Sequence, residues 1–310
     1  MHKEENNPII LDAGDLIFST PIIHDSIRAS EELRAFAMLE GYERIGCDAI
    51  NVGHYELTNG LHFLLELSKS TDILFISANL RDSQTNELLF EPYIIIEKPG
   101  LTLGIIGLVN IVETSGAGIT VDDYIATGQS MISNLRKKVD QVIVLINTPR
   151  STHKELPHYF KEADLIYTSG STNMTRPMMK QLSESPFVYS TGREGRYLNV
   201  TRFDIKEKIA PLINVSYLQE NMKYTQRKLD RLQGSDSDKT LEEIYAGQDR
   251  VLEKIKENRK NIANTQSILK HAVNKLHFDN VPMDAQIEDD NFMLNFVNAT
   301  LSKYEELKNK

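Results

Sequence analysis

Short continuous apolar runs alternate with amphipathic stretches through the first two thirds of the chain, and run after run ends on a small polar residue. The apolar runs predict strands at 8–11, 49–52, 72–78, 93–97, 101–109, 141–146, 163–167, 187–190, 198–205 and 210–215. Between them the three- and four-residue spacing of apolar side chains predicts helices at 27–44, 61–68, 121–138 and 154–161. Strands that are apolar on both faces, such as 141–146, lie between layers, so the class is α/β. Lys98-Pro99-Gly100 separates two β-rich runs and supplies turn geometry, which predicts a hairpin and hence mixed sheets.

The pattern changes at residue 215. Val215, Leu218, Met222, Thr225, Leu229 and Leu232 recur at three- and four-residue steps until 234–238 break the run. Thr240 with Glu243 reads as a capping box opening a second helix. Leu241, Gln248, Ile255, Ile262, Leu269 and Leu276 form one heptad track and Ile244, Val251, Asn258, Thr265 and Ala272 the other. Two tracks over five heptads predict a coiled coil, and the short connection predicts a long antiparallel helical hairpin with arms 215–233 and 240–277. The second arm is about twice as long as the first at 1.5 Å per residue. Its far half therefore needs another surface, from the α/β domain, a protein partner or a second copy in a homo-oligomer. Asn258 and Thr265 in the seam either fix register or sit in a wet seam. The tail predicts a short strand at 282–287 and an amphipathic helix at 289–306 bearing Phe292, Phe296, Leu301 and Tyr304. The expected organisation is an α/β domain at 1–214, the helical hairpin at 215–278, and a strand and helix at 279–310 packing back on the α/β domain.

Composition narrows the function classes. A net charge of −9 with no Lys/Arg-rich block argues against nucleic acid and anionic membrane as partners. Charges along the hairpin alternate in sign, as on a solvated face. No apolar run approaches the eighteen or so residues needed to span a bilayer, so the expectation is a soluble chain with no membrane partner. Cys47 is the only cysteine, on an apolar helix-to-strand join, and reads as a buried structural thiol.

Candidate chemistry gathers at strand exits, at Asp15, His54, Asn79, Asn110, Asn147 and Ser169. Each alone is an ordinary turn residue, but together they outline the rim of a site, because ligands in open α/β sheets bind at the strands' C-terminal edge.

These blocks carry a resemblance. LDAGDLIFSTP, GCDAINVGHYELTNG, ISANL, LTLGIIGLVN, VIVLIN, ADLIYTSGST and STGREGRYLNVTRFDI, in that order, resemble successive segments of the calcineurin-like metallophosphoesterase superfamily, in its 5′-nucleotidase and UDP-sugar hydrolase branch. The resemblance implies a four-layer αββα sandwich, a two-metal site at the sheet edges, phosphoester hydrolysis and, since such nucleotidases are usually exported, a periplasmic or exported location. Asp15 of Gly14-Asp15 matches the bridging carboxylate. The family's Gly-Asn-His-Glu turn is matched by Gly53-His54-Tyr55-Glu56, which puts His54 at the Asn ligand position and Tyr55 at the catalytic His position. Asn147 stands where the first late His belongs, and Ser169-Gly170-Ser171-Thr172 replaces a Gly-His-X-His block. The family's Asp-X-His strand belongs upstream of Asp15, where the fourteen preceding residues contain no such motif; the chain reads as beginning at the family's second strand, as a fragment would.

A dinuclear hydrolase needs a bridging carboxylate and several neutral imidazoles to hold two cations about 3.5–4 Å apart. Here Asp15, His54 and Asn147 together would hold one divalent metal weakly, or none. Tyr55 and Glu56 are the remaining candidates for catalysis, and a tyrosine with a pKa near 10 is a poor proton donor at neutral pH unless shifted. Two readings follow: a non-hydrolytic or altered binding and assembly module, or a metal-dependent phosphoester hydrolase with a reduced site.

Overall fold

The computed structural model describes residues 7–18, 20–110, 118–181, 186–234 and 238–309. It is a mixed α/β protein with several sheets and eight α-helices among these residues, and it divides into two compact units. The first comprises Met1–Met174, Leu182–Arg196 and Met283–Lys310; the second comprises Thr175–Gln181 and Tyr197–Pro282.

In the first unit, β1 (Leu11–Asp12), β2 (Ala49–Asn51) and β3 (Leu74–Ile76) form a parallel sheet in that order. Helices α1 (Arg28–Arg44) and α2 (Leu61–Lys69) bury Ala35, Leu39, Phe63, Leu64 and Leu67 in the same core as Ile50, Val52 and Phe75. β4 (Leu80–Asp82) pairs antiparallel with β7 (Ile119–Val121). The larger sheet runs β10-β9-β8-β6-β5, from β5 (Tyr93–Lys98), β6 (Leu101–Val109), β8 (Gln141–Asn147), β9 (Leu165–Ser169) and β10 (Phe187–Ser190). β5 and β6 form the expected antiparallel hairpin, while β6, β8, β9 and β10 run parallel. All seven residues of β8 are buried, as a two-sided strand requires. Helices α3 (Tyr124–Leu135) and α4 (Leu156–Tyr159) cover this sheet through Ile132, Leu135 and Leu156.

The two sheets approach closely at Gly107, where a Cβ would lie 2.6 Å from both Ile76 O and Asn51 Oδ1. At the tail, α8 (Asn291–Lys308) packs on α1: the Arg44 guanidinium lies 4.6 Å from the Phe292 ring centroid and 4.4 Å from that of Phe296, and Tyr304 donates to Glu31. Cys47 is buried between Ile10 and Ala49, and burial pushes its thiol up to about 12.

The second unit holds a three-stranded sheet of order β11-β13-β12, from β11 (Tyr197–Asp204), β12 (Leu212–Asn214) and β13 (Asn274–Pro282). Helix α5 (Val215–Gln233) packs on α7 (Asp249–His271), with the single turn α6 (Leu241–Ile244) between them in sequence. Their seam gathers Leu229, Leu241 and Ile255, flanked by Val251 and Ile262. The capping box at Thr240 and Glu243 is present, whereas 235–237, inside the expected break at 234–238, lie outside the described residues.

The continuous second arm expected over 240–277 is not what forms. Gly247 takes a left-handed φ of +80°, which separates α6 from α7, and the helix stops at His271. Leu276, expected in the heptad track, is buried in β13 instead, because Asn274, Leu276 and Phe278 bury at every second position. β13 takes the centre of its sheet, so the strand expected at 282–287 begins earlier and ends at Pro282. Because β11 pairs with β13, the second unit also takes in residues ahead of the boundary expected after 214. Among the described residues, no helix is long and apolar enough to cross a membrane.

Two outcomes check this packing. Gly107→Ala forces a methyl between Ile76 and Asn51 and should lower stability by about 1–3 kcal/mol, read as a reduced urea midpoint at unchanged slope. Cys47 should resist iodoacetamide at pH 8 in the folded chain and label promptly once urea unfolds it, since only the thiolate reacts.

Candidate functional site

The site is built where β1 and β2 end. After Asp12 the chain turns through Gly14, whose φ of +99° and close approach to Asn51 O (2.8 Å from a Cβ) admit only glycine, and through Asp15 at φ 62°. The second turn, Gly53 to Glu56, comes up against it so closely that a Cβ on Gly53 would lie 2.9 Å from Asp15 N. Tyr55–Leu57 form one turn of 3-10 helix.

Glu56 locks the two turns together. Its side chain is fully buried, and its carboxylate accepts four backbone N–H groups: Oε2 from Asp15 (2.9 Å) and Gly53 (2.8 Å), and Oε1 from Leu16 (2.6 Å) and Ile17 (3.2 Å). Burial pushes the carboxyl up to about 7, helped by the nearby charge of Asp15 and opposed by the backbone donors. Asp15 returns the connection, with Oδ1 accepting from Tyr55 N at 2.9 Å. Behind them Asp12 accepts from Gly14 N (2.8 Å) and from the Tyr42 hydroxyl (3.0 Å), and burial raises its carboxyl above the ordinary range against those two donors.

From the larger sheet, Asn147 and Ser169 reach the same place. His54 N donates to Asn147 Oδ1 (3.1 Å), Asn147 Nδ2 donates to Ser169 Oγ (2.8 Å), and Ser169 Oγ donates to Ala13 O (2.7 Å). Asn51 Nδ2 bridges Ala13 O and Leu108 O, while its Oδ1 is buried with no hydrogen-bond partner among the described residues. The His54 and Tyr55 rings lie beside each other, centroids 5.4 Å apart.

Asp15, His54, Tyr55, Glu56 and Asn147 therefore share one hydrogen-bonded web. Asn110 adjoins it through Asn147 O and the Thr148 hydroxyl. Asn79 does not: its amide is taken up by Val109 and Asp122 backbone. Asn51 is the participant that sequence reading missed, although an amide between Ile50 and Val52 in a wholly buried strand was a signal for it.

The donor inventory is short. Glu56 and the Asn147 amide are taken up by backbone and by Ser169, and among the described residues no group of three or more His, Cys, Asp or Glu is placed to hold a metal ion. The second oxygen of Asp15 and the His54 imidazole make no hydrogen bond to described residues. Among the described residues this leaves one carboxylate oxygen and one imidazole unbonded, against the bridging carboxylate and several imidazoles of a two-cation centre.

Comparison with known proteins gives the following. No family model matches the chain. A 5′-nucleotidase of Vibrio cholerae is 28% identical over 150 residues, covering 46% of this chain and 27% of the relative. A 2′,3′-cyclic-nucleotide 2′-phosphodiesterase/3′-nucleotidase of Yersinia enterocolitica is 26% identical over 183 residues, covering 53% of this chain and 28% of the relative. The chain thus spans under a third of the length of these relatives. Among solved structures, the calcineurin-like phosphoesterase YfkN of Bacillus subtilis superposes with a TM-score of 0.63 at 16% identity, over 100% of this chain and 87% of that one, a likeness of fold.

If Glu56 is what holds the turns, Glu56→Gln should destabilise the chain by about 2–3 kcal/mol, because an NH2 group then faces backbone N–H donors and leaves them unsatisfied. Urea unfolding of the two proteins side by side measures it.

Proposed function

We propose that this chain, a member of the calcineurin-like metallophosphoesterase superfamily, is a 5′-nucleotidase-like protein whose polar rim serves binding and assembly rather than two-metal phosphoester hydrolysis. One observation carries this reading: at two of the three ligand positions, Asp15 Oδ1 and the Asn147 amide are bonded to backbone N–H groups and to Ser169 Oγ. On this reading Glu56 is a positioning residue, with both oxygens turned onto backbone donors, and Tyr55 contributes its N–H to Asp15 instead of a proton to a leaving group. The two sheets of the first unit are read as the inner layers of a four-layer αββα sandwich, and α5 with α7 as an antiparallel coiled-coil hairpin offered to a partner. Support for the hairpin reading comes from the shared seam of Leu229 and Ile255 and from the buried Asn258 and Thr265, polar groups of the kind that set register in helical associations.

The second reading keeps hydrolysis on a reduced site. The second Asp15 oxygen and the His54 imidazole favour it, as two groups that could hold one divalent cation and polarise a phosphoryl oxygen.

Turnover separates the two. With Mn, Co, Zn or Mg supplied, the full chain should hydrolyse nucleoside monophosphates, cyclic nucleotides and an aryl phosphate no faster than buffer, and Asp15→Ala should change nothing. Metal-dependent turnover abolished by Asp15→Ala would establish the reduced-site hydrolase in its place.

A further inference from the structure

Charge is unevenly divided between the two units. The second unit carries 17 basic against 12 acidic side chains, a net +5, which leaves 18 basic against 32 acidic, a net −14, on the first. Oppositely charged modules on one chain attract each other between copies at low ionic strength.

The exposed surfaces of two helices match this division. On α8 the side facing α1 holds Met293, Phe296 and Tyr304, yet Leu294, Val297 and Leu301 stand 38%, 43% and 54% exposed at three- and four-residue steps, a second apolar ridge beside the packed face. Asp290, the N-cap whose carboxylate accepts from Phe292 N and Met293 N, and Glu305 are both exposed and stand at the two ends of the ridge. In the second unit, a groove of about 350 Å³ between α5 and α7 is lined by Leu229, Leu241, Ile262 and Ala263, with Arg259 on its α7 side and Asp230, bonded to Gln226, on its α5 side. Along α7 the lining residues Arg259, Ala263 and Gln266 continue at three- and four-residue steps to exposed Lys256 and Lys270, which lie beyond the lining at either end. Arg259 is bonded to Glu242, whereas Lys256 and Lys270 form no ion pair with described residues.

The dimensions agree. At 1.5 Å per residue, Asp290 to Glu305 spans about 22 Å and Lys256 to Lys270 about 21 Å. An acidic end meets a basic end whichever way the ridge lies, and the apolar centre of the ridge meets Ala263 and Ile262.

We propose that the partner is a second copy of this chain, with the α8 ridge of one copy seated in the α5/α7 groove of the next. The contact joins two different surfaces, so it is heterologous and extends head to tail. It rests on the assembly reading above and gives that assembly its partner.

Sedimentation velocity of the full chain tests it, using Leu294→Glu with Leu301→Glu to disable the ridge and Lys256→Glu with Lys270→Glu to disable the groove. At about 100 µM and low salt the unmutated chain should associate beyond the dimer, and raising salt from about 0.05 to about 0.5 M should weaken association at least tenfold. Each double variant alone should be monomeric. Their equimolar mixture should form a dimer and stop there, because one variant keeps the groove and the other the ridge; this outcome also shows that both are folded. A monomeric unmutated chain, a variant that still associates as the unmutated chain does, or an inert mixture would overturn the proposal. Phosphoester turnover would sink the proposed non-hydrolytic role and leave this contact standing, whereas a silent, monomeric chain would sink the contact alone.

Discussion

The carboxylate of Glu56 is the constraint on which the candidate site depends. Four backbone N–H groups from two separate turns converge on its fully buried side chain, and a buried donor left without a partner is costly. That convergence explains why Gly14 and Gly53 carry no side chain, since both turns must approach backbone to backbone. It also explains why Asp15 adopts a left-handed conformation: the turn delivers its N–H to Glu56 while its carboxylate receives Tyr55 N–H. The larger sheet adds Asn147 and Ser169, which tie the ends of β8 and β9 to His54 and Ala13. The web holds β1 and β2 against the ends of β8 and β9, and in holding them it engages Asp15 Oδ1, both Glu56 oxygens and the Asn147 amide.

The second unit follows a different logic. β13 is its central strand, between β11 and β12, and it lies far along the chain from both. Helices α5 and α7 lie between β12 and β13 in sequence, so their seam and the pairing of β13 depend on each other. Leu276 and Phe278 are buried in that sheet, while the amide of Asn274 caps it by accepting from Lys206 and Glu207 and donating to Ala210.

Much of the first unit was legible in the sequence because two-sided burial leaves a plain signature. β8 and the β5–β6 hairpin fall where their apolar runs and the Lys98-Pro99-Gly100 turn put them. The coming together of Asp15, His54 and Asn147 was legible as well, since strand C-termini converge in this class of fold. The direction of the Glu56 carboxylate was not. A glutamate one residue past a candidate catalytic position reads as chemistry, and only the positions of Leu16 N and Ile17 N, some forty residues earlier, show that it faces backbone. The heptad track failed at Leu276 for a related reason. A period of 3.5 and a period of 2 both bury a residue there, and the contest was decided by pairing with β11, which no local pattern contains.

The measurement that bears most directly on this account is elemental metal analysis of the purified full chain after exhaustive dialysis. A web that leaves only one Asp15 oxygen and the His54 imidazole unbonded among the described residues predicts well below one divalent metal per chain. Two metals per chain, lost in an Asp15→Ala, His54→Ala double variant, would contradict it and mean that further ligands complete a dinuclear centre around Asp15.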